Sequence, residues 1–194
     1  RTPFGKNVQI CKWVDEHHEQ YEEMYLWAVN RLKAAGLIQY EVSNFSKKGN
    51  ESRNNLLVWS GKEYLGFGAG AHSYYEITRK GNIGSVKPYI SHLKKNTLPV
   101  EFEEQLSSTQ LALEFLMLGL RSSEGVNLHG WIERFELEWS PQEEQYVNSL
   151  YEQGHALKKD NHFCLTPKGM LLADSITVQM MPSNTSHKTI KLLF

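Results

Sequence analysis

Apolar residues recur along this chain at helical spacing in two long stretches, with short strand-like runs between and after them. Tyr21, Tyr25, Ala28, Val29, Leu32 and Ala35 mark the first stretch. Together they predict an amphipathic helix with one buried face, with Asp15 as its expected N-cap and Gly36 as its stop. Residues 37–42 follow as a short strand and residues 64–71 as another, so helix and strand alternate as in α/β units. The segment between these strands, residues 43–62, is long and polar. It is expected to be a loop without regular structure, and loops beyond about 12 to 15 residues are usually functional or disordered. Its apolar Leu56, Leu57, Val58 and Trp59 predict that it docks onto the rest of the chain. A short helix around residues 88–95 then ends at Asn96-Thr97-Leu98-Pro99.

The second stretch is denser. Ser107 and Gln110 form a capping box for a helix reaching about Arg121. Its Leu111, Leu113, Phe115, Leu116, Leu118 and Leu120 make it apolar nearly all round, which places it at the centre of a core. Asn127 caps a second helix through Trp131 and Phe135. Ser140-Pro141-Gln142-Glu143 combines a cap, a proline at the first helical position and a capping-box glutamate for a third helix. That helix buries Tyr146, Val147 and Leu150 and stops at Gly154. Ala156-Leu157-Lys158 and His162-Phe163-Cys164-Leu165 flank Lys159-Asp160-Asn161, whose residues suit a tight hairpin turn. Thr166-Pro167 opens a last helix carrying Met170, Leu171 and Ile176. Three helices, a hairpin and a helix follow the order of a winged-helix fold.

Charge sharpens the division. The net charge of −1 conceals 14 Lys/Arg against 9 Asp/Glu in residues 1–100, and 5 against 13 in residues 101–181. The sign reverses near Pro99. The expected organisation is an α/β unit over residues 1–99, a mainly helical unit over 100–181 and a loosely held tail over 182–194. A winged helix reads DNA by placing its third helix in the major groove. Here that helix carries Glu143, Glu144 and Glu152 and no Lys or Arg. Phosphate binding depends on cations, so nucleic acid is excluded as a partner, and the unit reads as a lid or scaffold. No apolar run reaches the ~18 residues of a membrane span and no signal-peptide pattern stands at Arg1, so a cytoplasmic location is expected. Arg1-Thr2-Pro3-Phe4-Gly5 opens the chain without an initiator Met, and the sequence is expected to be the C-terminal part of a longer polypeptide.

Candidate chemistry concentrates in Tyr64-Leu65-Gly66-Phe67-Gly68-Ala69-Gly70-Ala71-His72-Ser73. Glycine at every second position leaves one face of the expected strand without side chains. Either a neighbouring element packs there or a flat ligand reaches the backbone amides, and the residues alone favour the neighbour. No G-x-G-x-x-G followed by a helical run occurs, which excludes a dinucleotide fingerprint. His72 is either a hydrogen-bonded core histidine or a ligand contact, and position alone favours the first. Arg53, beside Asn54, Asn55 and Trp59, is either a surface charge or a bidentate carboxylate receptor. Cys11 and Cys164 lie far apart and in no C-x-x-C or C-x-x-H cluster, so reduced thiols are expected, with neither a disulfide nor a protein-made metal site. The histidines form no H-E-x-x-H, and Ser73 sits in no G-x-S-x-G elbow.

Several segments occur in a diagnostic order: Thr2-Pro3-Phe4-Gly5, Gln39-Tyr40-Glu41-Val42-Ser43-Asn44-Phe45, Arg53-Asn54-Asn55-Leu56 with Trp59, the glycine stretch through Ser73, Leu116-Met117-Leu118-Gly119-Leu120-Arg121 and Leu165-Thr166-Pro167-Lys168-Gly169. Together they resemble the C-terminal half of the oxygen-independent coproporphyrinogen III oxidase-like radical SAM proteins, most closely the heme chaperone (HemW-type) branch. The resemblance covers nearly the whole chain. In that family a TIM-like partial barrel holds a [4Fe-4S] cluster and S-adenosylmethionine under a winged-helix-like C-terminal domain. The resemblance therefore implies that this chain is a partial, truncated TIM-like barrel followed by that domain, holding neither cofactor fully by itself, with heme as a further candidate ligand. Residues 37–42 and 64–71 become late barrel strands, and Gly68, Gly70, Ala71 and His72 border S-adenosylmethionine, which gives the bare glycine face a ligand. Arg53, Asn54, Asn55 and Trp59 fall where heme or substrate is held.

Two departures bear on what is implied. The family's cluster motif, C-x-x-x-C-x-x-C, is absent. Without a thiolate-held cluster there is no electron source to cleave S-adenosylmethionine, so the chain alone is expected to be inactive in radical chemistry. The chaperone branch reads His-Asn-x-x-Tyr-Trp where this chain has Asn54, Asn55, Val58 and Trp59, which puts Asn54, a poor iron ligand, in the histidine's place. The oxidase branch reads Arg-Asn-Phe-Gln-Gly-Tyr near Arg53, where this chain keeps Arg53-Asn54-Asn55-Leu56. The resemblance therefore implies tetrapyrrole metabolism, with heme binding and trafficking first and oxidative decarboxylation of coproporphyrinogen III to protoporphyrinogen IX second. A non-catalytic protein-interaction module built on the acidic helical unit is the alternative of another class. The implied partners are a tetrapyrrole and a heme-acceptor protein. A barrel lacking most of its strands exposes sheet edges, so self-association is expected.

Overall fold

The computed structural model describes residues 6–182, so residues 2–5 of the resemblance and the tail beyond Pro182 lie outside the described residues. The helical stretch starts earlier than its apolar spacing suggests. Asn7 accepts hydrogen bonds from the amides of Gln9 (3.0 Å) and Ile10 (3.2 Å) and caps α1 (Val8–Glu16). Asp15, the expected cap, falls inside α1. The helix breaks at His17 and resumes as α2 (His18–Ala34), and Gly36, at φ +79°, ends it. Of the face expected to be buried, Val29 is buried and Tyr25, Ala28 and Leu32 are half-buried, but Tyr21 is exposed.

β1 (Ile38–Glu41) turns straight back into β2 (Asn44–Ser46), antiparallel to it. The connection of two residues permits only a hairpin, a pairing that the strand expected over residues 37–42 does not include. The expected irregular loop is corrected, since it contains β2 and then α3 (Arg53–Trp59). Ser52 caps α3 by accepting a hydrogen bond from the amide of Asn55 at 3.3 Å.

The glycine stretch is not a strand. Tyr64 makes a single bridge to Tyr74. Beyond it, Gly68 (φ +109°) and Gly70 (φ +72°) adopt backbone conformations that no extended strand contains. At Gly66 the bare face is filled by the chain itself, because a Cβ there would occupy the position of the His72 carbonyl. The loop thus folds back on β3 (His72–Tyr75), which joins β4 (Thr78–Asn82) and β5 (Val100–Gln105) in an antiparallel sheet of that order. α4 (Val86–Lys94) lies in the β4–β5 connection, and the sheet continues across Pro99.

The core is built on α5 (Ser108–Leu120). Its Ser107–Gln110 capping box forms, and Ala112, Leu113, Leu116 and Leu120 are fully buried. Around it lie α6 (Leu128–Arg134), α7 (Pro141–Glu152), the hairpin of β6 (Ala156–Lys159) and β7 (His162–Leu165), α8 (Pro167–Met170) and α9 (Ala173–Met180). Trp131 of α6 donates its indole N–H to the Ala112 carbonyl at 2.9 Å, which satisfies the one polar atom of a buried ring. Val147, Leu150, Phe163, Ile176 and Met180 close the same core, each contributing roughly 1.5–3 kcal/mol by leaving water. Asp160 (φ +48°) and Asn161 (φ +65°) make the left-handed pair that a two-residue hairpin turn requires. Glu143, expected as the capping-box glutamate of the third helix, takes that role: it is buried and accepts from the Ser140 amide at 2.8 Å and from the Ser140 hydroxyl.

The last helix, expected as one element, is two. Thr166 bonds the His155 carbonyl at 2.9 Å, and Gly169 packs so closely on the same carbonyl that a Cβ would displace it. α8 is thereby tied to the hairpin, whereas α9 packs on α5 and α7, and the chain changes direction at Leu171-Leu172. Among the described residues, no helix is long and apolar enough to cross a membrane.

Candidate functional site

Two clefts open on either side of α3. The larger, about 800 Å³, lies between the β3–β4 hairpin and the outer face of α5 and α6. With one face of α5 consumed by the core, Leu111, Phe115 and Leu118 turn toward this cleft. Tyr64 and Tyr74, joined by reciprocal backbone hydrogen bonds of 2.8 and 2.9 Å, line it from the other side. Its polar groups are Lys62, His72, Arg79 and Arg134, with Glu63, Glu76 and Glu114.

The two arginines are held differently. Arg79 of β4 forms an ion pair with Glu114 of α5 and lies 3.9 Å from Glu104 of β5. Arg134, at the end of α6, lies over a tilted aromatic pair, its guanidinium carbon 5.2 Å from the centre of Phe115 and 5.1 Å from that of Phe135, whose centres are 5.9 Å apart. Both rings support the cation from one side by cation–π attraction, which leaves its N–H donors for a ligand.

The smaller cleft, about 520 Å³, has Arg53, Leu56, Leu57 and Trp59 of α3 facing Gly119, Ser122 and Val126. Lys62 and Phe115 border both clefts. Arg53 is exposed in the first turn of α3 and Trp59 is half-buried in the last. Asn54 is exposed, and Asn55 is half-buried with its amide engaged by Ser52.

His72 is exposed and borders the larger cleft, its ring 5.5 Å from that of Phe102, so it is not a core histidine. Gly68, Gly70 and Ala71 stand in the loop before β3, where their backbone groups are engaged internally. The Gly68 amide donates to the Tyr89 hydroxyl at 3.2 Å, and its carbonyl accepts from Asn82 Nδ2 at 3.0 Å. The Gly70 amide donates to the Ile83 carbonyl at 3.0 Å, and the Ala71 carbonyl accepts from the Asn82 amide at 2.9 Å. What this loop offers a ligand is a small-residue surface, with these polar groups already spent.

Sequence reasoning missed Arg79, Glu114, Arg134 and Phe135. Arg134-Phe135 reads locally as the polar end of a helix, and Phe115 reaches it only through packing of α6 on α5. No local pattern reports such a cluster.

Neither Cys164 nor Tyr25 lines either cleft. Burial pushes the Cys164 thiol up, and the group donates to the Glu124 carbonyl at 3.4 Å. Burial also pushes the Tyr25 hydroxyl up, partly offset by a hydrogen bond from Gln39 at 2.6 Å. Cys11 is exposed on α1 and Cys164 is buried in β7, and two thiols cannot supply the three of a C-x-x-x-C-x-x-C site. Among the described residues, no group of three or more His, Cys, Asp or Glu is arranged to hold a metal ion. The chain does not fit a [4Fe-4S] cluster of its own.

Comparison with known proteins agrees with this arrangement. Residues 106–172 match the HemN C-terminal domain family. The chain is 35% identical over 176 residues to heme chaperone HemW of Bacillus subtilis, an alignment covering 91% of this chain and 46% of that protein. It is 28% identical to radical S-adenosyl methionine domain-containing protein 1, mitochondrial, of Danio rerio, over 90% of this chain and 42% of that protein. The chain thus spans about half the length of the curated relatives it matches. Among solved structures, coproporphyrinogen III oxidase (HemN) from Escherichia coli, described as a radical SAM enzyme, superposes with a TM-score of 0.61 at 14% identity, over 80% of this chain and 39% of that one. That likeness concerns the fold. Residues 106–172 thus belong to the HemN C-terminal domain family, and over most of its length the chain is similar to the C-terminal half of heme chaperone HemW proteins.

Proposed function

We propose that this chain is the tetrapyrrole-handling portion of a heme chaperone, which binds heme beside α3 and passes it to an acceptor protein in the cytoplasm. The observation that carries the reading is the pair of clefts flanking α3 in a chain of which 91% aligns with a protein named heme chaperone. Ligand sites of this kind are concave, mostly apolar and roughly 300–1,000 Å³ in volume, with a few placed polar groups. Heme has a flat apolar ring and two carboxylates, and both clefts pair apolar walls with cations. Arg53, Asn54, Asn55 and Trp59 are the candidate heme or substrate residues on α3. Gly68, Gly70, Ala71 and His72 are the candidate border of S-adenosylmethionine in a protein that also carries the cluster. In this reading residues 1–99 are the late part of the barrel, and the α5-to-α9 order is a winged-helix-like lid over residues 100–181.

The fold shared with coproporphyrinogen III oxidase favours a second reading, oxidative decarboxylation in the full-length protein. One experiment on the full-length protein, with its cluster loaded, separates the two: heme titration followed by the Soret band, with Asn54→Ala and His72→Ala alongside and coproporphyrinogen turnover assayed in the same preparation. Stoichiometric heme binding without turnover supports the chaperone. Turnover without stable heme binding supports the oxidase. Absence of both, in a folded protein, supports the non-catalytic interaction module.

A further inference from the structure

We infer that the larger cleft is a site for a planar, apolar molecule bearing one or a few carboxylates, and that Arg134 is the residue that receives a carboxylate. The inference rests on the heme reading for the identity of the natural ligand, and on the geometry of the cleft for its chemistry.

Three observations define that chemistry. First, Arg134 is pre-organised and unclaimed. Its guanidinium carbon lies 5.2 and 5.1 Å from the centres of Phe115 and Phe135, two tilted rings whose own centres are 5.9 Å apart, so both rings support it from one side, and among the described residues no carboxylate pairs with it. A guanidinium resting on such a pair is already restrained in part before its N–H groups meet a carboxylate fork. Second, the other arginine of the cleft is committed, because Arg79 is paired with Glu114. Third, the walls between these charges are apolar, with Leu111, Phe115 and Leu118 on one side and Tyr64 and Tyr74 on the other.

These features select among ligand classes. A purely apolar molecule would leave Arg134 unused. A polyphosphate would bring several negative charges against Glu63 and Glu76, which border the same cleft, and the repulsion grows with each charge, whereas a ligand with one or two carboxylates meets far less of it. An amphiphilic aromatic acid buries its ring on the walls and keeps its carboxylate on Arg134.

The test uses two kinds of probe on the purified chain: heme, read by its Soret band, and pyrenebutyrate with its methyl ester, read by pyrene fluorescence. Each is titrated into wild type, Arg134→Ala, Arg134→Lys and Lys94→Ala, a lysine on α4 outside the cleft, with thermal melts confirming that all four fold. Loss of one charge-assisted hydrogen-bonded contact should weaken pyrenebutyrate and heme about tenfold or more in Arg134→Ala. Arg134→Lys should fall between, since it keeps the charge and loses the fork, and Lys94→Ala should match wild type. The ester should bind wild type and Arg134→Ala equally.

Pyrenebutyrate binding that is equal in wild type and Arg134→Ala, or an ester that binds wild type as tightly as the acid, overturns the inference. Heme that binds wild type and Arg134→Ala alike leaves the heme reading standing and removes this site. Arg134-dependent pyrenebutyrate binding without heme binding keeps the site and removes the heme reading. No binding of either probe to wild type removes both.

Discussion

Arg79 of β4 and Glu114 of α5, 35 residues apart in the chain, form an ion pair that joins the three-stranded sheet to the helical core along one wall of the larger cleft. The two side chains are 27% and 13% exposed, so water screens the pair only in part. Glu104, 3.9 Å from Arg79, is itself held by Gln110 Nε2 at 3.1 Å, which ties β5 into the same junction.

Removing Glu114 leaves the half-buried Arg79 with only the longer contact to Glu104 at 3.9 Å. Glu114→Ala should therefore cost about 1.5–3 kcal/mol of stability in denaturant unfolding. The double variant Arg79→Met with Glu114→Leu should recover part of that loss, because an apolar pair of similar volume avoids the desolvation of two charges. Additivity of the two single substitutions in a double-mutant cycle would show that the pair carries no coupling.

Gly66 and Gly84 should respond oppositely to alanine. A Cβ on Gly66 meets the His72 carbonyl, whereas the space beside Gly84 is open. Backbone cannot step aside as a flexible side chain does, so Gly66→Ala should cost about 1–3 kcal/mol or more. Gly84→Ala should stay within about 0.5 kcal/mol. Equal melting temperatures for the two variants would mean that the loop before β3 is not packed as described.

Features governed by neighbours in sequence were legible in advance. Ser107 with Gln110, Ser140 with Glu143 and the Asp160-Asn161 turn each act within a few residues. The buried face of α5 was legible too, because a helix apolar on nearly all sides has no other place. The glycine stretch was misread because alternate glycines imitate a strand with one bare face. Its real conformation is decided by where β3, Asn82 and Tyr89 stand, and those are distant contacts. α3 was hidden because Ser52 follows a polar run and its helix is short. The contact of Arg134 with two rings needs Phe115, on another helix, and emerges only from packing.

Stability should decline in alkali. Burial pushes the Cys164 thiol and the Tyr25, Tyr146 and Tyr151 hydroxyls above their ordinary values. A weak acid raised in the folded state keeps its proton longer there than in the unfolded chain. Between the two values the unfolded chain binds fewer protons, so the unfolding free energy falls as pH rises. The thiol, with an ordinary value of 9.0, begins the decline, and the tyrosines steepen it past 10.0. Cys164→Ala should move the onset from the thiol range to the tyrosine range, read as melting temperature against pH. The same burial predicts that a thiol reagent modifies exposed Cys11 before Cys164.

Self-association follows from side chains that the fold leaves in water. Met24 and Trp27, three residues apart on one side of α2, are 69% and 68% exposed, and Phe67, in the loop before β3, is 87% exposed. Burying a side chain of this size contributes roughly 1.5–3 kcal/mol, so a contact that covers several of them drives association. Light scattering of the chain should show an apparent mass that rises with concentration. Met24→Glu with Trp27→Glu should lower that rise, and adding Phe67→Ser should lower it further, because none of the three side chains belongs to the buried core and each substitution leaves folding intact. A single monomeric mass across the concentration range in wild type would show that these apolar surfaces do not meet one another in solution.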